Sequence, residues 1–169
     1  MTDTDHGRER CEGCGAIVPR IAGPVHRYMT AAPGCWAMHG ELAARILDDP
    51  AAPRFRQFCV DAYAVQHPGS SNPQAIQSVA CHLMNLYAVL ERQRPIELAP
   101  AFLQRATRRK DRYQWLVPPS FEGVRTIGYV LGETNRLEEA AREWAADAWR
   151  AWQPHRAQVE TWYAAVAGA

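Results

Sequence analysis

A surplus of charge of either sign is missing from this 169-residue chain, in which 19 Lys and Arg face 18 Asp and Glu for a formal net charge of +1. Without a long-range field to gather nucleic acid or anionic lipid, any partner must be recognised locally. Long apolar runs are missing too. Nowhere do about 18 apolar residues follow one another, which excludes a membrane-spanning helix, and Met1 to Arg10 holds no apolar stretch of the kind a secretion leader needs. We therefore expect a soluble, cytoplasmic protein. No run alternates with period two for long enough to make a strand, and no internal repeat or low-complexity tract is visible. The Gly-x-Ser-x-Gly elbow, the phosphate loop and the dinucleotide fingerprint are all absent, so no familiar enzyme motif assists.

What is present is mostly helix. Apolar residues recur at helical spacing almost throughout, and with 47% apolar residues the chain can bury a core as one domain without disulfide staples. The spacing predicts an all-α bundle of five to six helices. The first covers about 35–47, with the stripe Cys35, His39, Leu42, Ile46, and a second covers about 54–66, with Phe55, Phe58, Cys59 and Ala62 on one face. A third runs from Asn72-Pro73 to about Arg92. Its face of Ile76, Val79, Ala80, Leu83, Leu86, Tyr87 and Leu90 makes it the expected central helix. A shorter helix after Pro95 ends at a basic cluster, Pro118-Pro119 marks a connector, and helices at about 135–152 and 154–166 bring Trp144, Trp149, Trp152 and Trp162 to the core.

Residues 11–34 break this pattern with Pro19, Gly23, Pro24, Pro33 and Gly34. Such a segment needs order from elsewhere, and a bound metal supplies folding free energy directly. Cys11-Glu-Gly-Cys14-Gly15 opens it, and Cys-x-x-Cys before Gly is the usual way to turn two thiolates toward one metal. The two cysteines sit in a polar loop with nothing apolar to justify burial. Five cysteines is an odd count, and it argues for reduced thiols rather than an oxidised framework. Cys35 follows as a third ligand, although a cysteine on an apolar stripe is also an ordinary small core residue. The fourth ligand to zinc is then His26 from the Gly23-Pro24 loop or His39, one turn beyond Cys35. Domain limits follow: a flexible 1–10, then one helical domain over 11–169 carrying 11–34 as a metal-binding loop.

A second constellation gathers Asp61, Gln66 and His67 on the second helix and its end with Ser78 and His82 on the third. Counting 100° per residue, Asp61 and His82 flank apolar faces that must pack together, so we expect them to meet, with His67 at the mouth of the site. A carboxylate and an imidazole so placed either orient each other for general-base work, making Asp61, His67 and His82 candidate catalytic residues, or simply satisfy each other at the bundle's edge. Arg105, Arg108, Arg109, Lys110 and Arg112, followed by Tyr113 and Trp115, form the one local basic patch. Basic residues at a helix C-terminus complement its dipole, and the near-neutral total charge lends nucleic-acid binding no further support. A small molecule or another protein remains as partner; nothing in the sequence sets the oligomeric state.

The layout resembles a small bacterial family of unknown function. The resemblance rests on Cys11-Glu-Gly-Cys14-Gly-Ala, Gly23-Pro-Val-His26-Arg-Tyr-Met, Pro33-Gly-Cys35-Trp36, Val60-Asp61-Ala-Tyr63-Ala-Val-Gln66-His67-Pro-Gly69, Gln77-Ser-Val-Ala-Cys-His82-Leu, Arg109-Lys110-Asp and Trp149-Arg-Ala-Trp152, which together span almost the whole chain. The family motifs include His26 and Cys35, with an aromatic residue at the position of His39. The resemblance thus implies Cys11, Cys14, His26 and Cys35 as the zinc ligands. It implies no activity.

Overall fold

The structure is a computed structural model and describes residues 7–168. It is all-α in its main body, with one small hairpin at the start. Of the N-terminus expected to be flexible, residues 1–6 lie outside the described residues, whereas Arg8–Arg10 is strand β1, paired antiparallel with β2, Ile17–Pro19. Glu9 stands opposite Val18 in this ribbon. Strands of three residues are too short for a period-two pattern, which is why the hairpin escaped the reading of the sequence.

Seven α-helices follow among the described residues: α1 Pro33–Leu47, α2 Arg56–Gln66, α3 Pro73–Leu90, α4 Ala99–Thr107, α5 Ile127–Gly132, α6 Leu137–Ala151 and α7 Arg156–Ala167. Prolines mark several starts. Pro33 begins α1, and Asn72 caps α3, its side-chain oxygen accepting from the Ala75 amide at 3.0 Å ahead of Pro73. Proline has no amide to leave unpaired in the first turn, and an asparagine cap contributes about 1 kcal/mol. The short α5 was not expected. It has only Ile127 and Val130 buried, too few apolar positions to declare a helical face.

The core is built around two helices rather than one. Helix α3 is buried along most of its length, as its apolar face implies, but α2 is buried on every side from Asp61 to Gln66. It lies against both α3 and α6, while α3 also meets α7 and α4. Four of the six tryptophans, Trp144, Trp149, Trp152 and Trp162, are buried in this core. Trp144 and Trp152 are fully enclosed, and each indole donates to α2: Trp144 to Gln66 Oε1 at 2.9 Å, Trp152 to the Val65 carbonyl at 3.1 Å. The Gln66 amide nitrogen donates in turn to the Arg125 carbonyl at 2.8 Å, so this buried side chain is satisfied at both ends. The consequence for the site is rigidity at the C-terminal end of α2, where His67 follows.

Candidate metal centre

The β1–β2 hairpin exists to present its loop. Cys11 and Cys14 fall between the strands, with the Cys11 amide bonded to the Ala16 carbonyl at 2.8 Å and the Gly15 amide to the Cys11 carbonyl at 2.9 Å. Gly15 holds φ +77°, a left-handed conformation that a side chain would strain. Gly13 meets a different demand. A Cβ there would lie 2.2 Å from the Thr30 carbonyl oxygen and 2.5 Å from His67 Cδ2, so only glycine lets the loop close onto the end of α2.

Cys35, in the first turn of α1, and His67, capping α2, complete a group whose ligand atoms all lie within 4.8 Å of one another. All four residues are at most 1% exposed. Three of the six separations match the edges of a small tetrahedron, and the others are at most 4.8 Å. For about 2.3 Å to sulfur and about 2.05 Å to nitrogen, the ideal edges are roughly 3.8 Å between sulfurs and roughly 3.6 Å from sulfur to nitrogen. Here Cys14 Sγ lies 3.9 Å from Cys35 Sγ, and His67 Nε2 lies 3.5 Å from Cys11 Sγ and 3.3 Å from Cys35 Sγ. The donor set therefore fits a tetrahedral thiophilic metal in both chemistry and spacing.

Surrounding groups fix these ligands. His67 Nδ1 lies 2.7 Å from the Tyr63 carbonyl, which can only accept; Nδ1 therefore donates there, and Nε2 is the ring nitrogen that faces the sulfurs. The Ala32 amide donates to Cys11 Sγ at 3.5 Å, and the Tyr63 hydroxyl donates to Cys35 Sγ at 3.8 Å. Within the group, hydrogen bonds from Cys14 and Cys35 drive the Cys11 thiol far below its ordinary value, and bonds to Cys11 and Cys14 push Cys35 far above it. Burial opposes a charge on His67, yet its bonds to Cys11 and Cys14 and their negative charge carry it up to about 9. The remaining cysteines, Cys59 and Cys81, are core thiols pushed up to about 12 by burial and then by Asp61.

The fourth position is a correction to the reading of the sequence. His67 stands there, and neither His26 nor its alternative His39 does. Both of those rings are engaged elsewhere: His39 stacks on Trp36 with centroids 5.0 Å apart and planes within 4°, and His26 packs edge-on against Trp36 and Tyr28. His39, one turn from Cys35, stacks on α1 instead of reaching the sulfurs. The signal that could have found His67 was the Gln66-His67-Pro68-Gly69 motif, which also reads as a helix stop.

The second constellation divides accordingly. Asp61 and His82 do meet, with Asp61 Oδ1 at 2.7 Å from His82 Nδ1 and 2.7 Å from Gln57 Nε2, and Asp61 Oδ2 accepting from Asn85 Nδ2 at 2.5 Å. His67 is not at its mouth, because its ring is enclosed among the thiols. Asn85 was missed; it lies about one turn beyond His82 on α3, and a lone asparagine in an apolar stripe gives no warning. In the basic patch, the Tyr113 ring packs against Trp162 and its hydroxyl donates to the Ala106 carbonyl at 2.7 Å.

The fold and this group define the class: a helical protein whose N-terminal hairpin carries part of a cluster of three cysteines and one histidine, closed by two helices. The chain belongs to the family described as Family of unknown function (DUF5946), which matches residues 9–153 and so spans the hairpin, the cluster and α1 to α6. Neither curated proteins nor solved structures give a match.

Proposed function

We propose that this protein is a zinc-stabilised helical binding module, in which Cys11, Cys14, Cys35 and His67 hold one structural zinc. The observation that carries the reading is the enclosed four-ligand group itself. Three thiolates and one imidazole at tetrahedral spacing select zinc over harder cations. With four protein ligands and none of them open to solvent, no position is left for a water or substrate, so the metal acts in folding rather than in chemistry. Its role is to fasten the hairpin and the irregular stretch 20–32, which lack an apolar core of their own, to the start of α1 and the end of α2.

Zinc also explains why so much irregular backbone is held in one place, and it leaves recognition to the surfaces that the fastened segment helps to build. The partner is a small molecule or a protein. Hydrogen exchange before and after metal removal with a strong chelator tests the role: amides of residues 9–32 should lose protection first and most, ahead of α3 and α6. Uniform loss across the chain, or none, would contradict it.

A further inference from the structure

Two polar atoms on α3 are left without partners, one turn apart, and the residues that carry them line the same cleft. Ser78 Oγ is buried and has no hydrogen-bond partner, although a helical serine ordinarily bonds the carbonyl one turn back. His82 uses Nδ1 on Asp61 and makes no second bond among the described residues. Its ring is about one-sixth exposed, with a side-chain accessibility of 17%, whereas Asp61 is fully enclosed. The cleft above them holds about 310 Å³ and is lined by Tyr28, Gln77, Cys81 and Leu103 besides Ser78 and His82.

Asp61 accepts from the Gln57 amide on Oδ1 and from the Asn85 amide on Oδ2, and its carboxylate is an acceptor toward His82 as well. Nδ1 of His82 then donates inward, and in the neutral ring Nε2 offers its lone pair to the cleft, the arrangement by which a buried carboxylate orients an imidazole. No Lys, Arg, Asp or Glu lines the space. A charged ligand would find no counter-ion, while an uncharged one would find an acceptor, a hydroxyl and an apolar wall at Leu103. The volume lies at the small end of ligand pockets.

From this geometry we infer that the cleft over Ser78 and His82 is a binding site for a small uncharged molecule that carries a hydroxyl or N–H group on an apolar body. The ligand donates to the neutral His82 ring at Nε2 and pairs with Ser78 Oγ once that free hydroxyl turns toward the cleft, and its body packs on Leu103. Asp61 is a positioning residue that holds the imidazole in the accepting tautomer. The site is separate from the metal centre and does not depend on which metal is bound there.

Phenol and toluene make the test, since they share a ring and a shape and differ in the hydroxyl. In the metal-loaded full chain with 15N-labelled histidine, phenol should move the His82 Nε2 resonance saturably and leave that of His155 in place, and toluene should bind at least about tenfold more weakly. Ser78→Ala removes an atom that holds nothing in the fold, so the variant folds; it should weaken phenol severalfold without weakening toluene. Phenol leaving His82 Nε2 unmoved, or toluene binding as tightly as phenol, would overturn the inference. Because the first measurement uses the unaltered protein, it does not depend on any variant folding.

Discussion

Removing the Asp61 carboxylate should expose how much of the α2–α3 contact is polar. In Asp61→Ala three donors lose their acceptor at once, and they are not equivalent. Gln57 is half-buried and His82 partly exposed, so water can replace the lost bond to each; Asn85 is 2% exposed and cannot be reached. The stranded Asn85 amide alone costs about 1–3 kcal/mol, and the lost charge-assisted bonds bring the total to about 3 kcal/mol. For a chain of this length that is a fall in Tm of about 6–12 °C. Urea unfolding with zinc in excess measures it, followed by tryptophan fluorescence, since Trp144, Trp149, Trp152 and Trp162 are all buried. Adding Asn85→Ala removes the stranded donor, so the double variant should be more stable than the sum of the single losses by about 1 kcal/mol or more. A loss below about 1 kcal/mol for Asp61→Ala, or strict additivity in the pair, would refute the reasoning.

Three further expectations rest on other parts of the molecule. Gly13→Ala should weaken zinc retention against a competing chelator by about tenfold or more, because its Cβ meets the Thr30 carbonyl and the His67 ring, whereas Gly40→Ala, in open space within α1, should raise stability by about 0.5–1 kcal/mol. Glu91 ties the end of α3 to α6 and α7, accepting from Trp149 Nε1 at 2.9 Å and Arg156 Nε at 2.8 Å. Burial works against its charge, but the bonds from Arg156, Gln153 and Trp149 win and hold the carboxyl below its ordinary range. A depressed folded-state pKa gives stability that is present above the unfolded value and lost as the pH falls through the folded one, so the advantage of the wild type over Glu91→Gln in urea should shrink on acidification below the usual glutamate range. A gap that widens there would be the wrong sign. Finally, His26→Ala and His39→Ala should both retain metal, since both rings pack against Trp36, His26 edge-on and His39 stacked, and neither belongs to the four-residue group.

The helices were legible because their burial is one-sided enough to leave a 3.6-residue signature: α1, α3, α6 and α7 fall within a few residues of their expected bounds. Helix α2 was placed correctly but underrated. Its enclosed Asp61 and Gln66 interrupt the apolar pattern, and a polar residue that is buried because it is fully bonded looks, in a sequence, like one facing water. The three cysteines of the candidate site could be read from Cys-x-x-Cys-Gly and from the need to order residues 11–34. The histidine could not be read by proximity. His67 lies 32 residues beyond Cys35, and it arrives only because α1 and α2 return the chain to the hairpin, a tertiary fact that its Gln66-His67-Pro68-Gly69 motif marks no differently from a helix stop. Asp61 and His82 were foreseeable because helix periodicity places both at the margins of faces that pack together. The openness of His82 to a cleft was not, since it depends on Tyr28 and Leu103 arriving from other segments.

The metal content of protein purified without added metal tests the central claim most directly, when it is determined by elemental mass spectrometry against protein concentration. One zinc per chain in the wild type, with loss of that zinc in a soluble His67→Ala variant, is the result this account predicts. A folded wild type free of metal, or a His67→Ala protein that keeps a full equivalent of zinc, would contradict it.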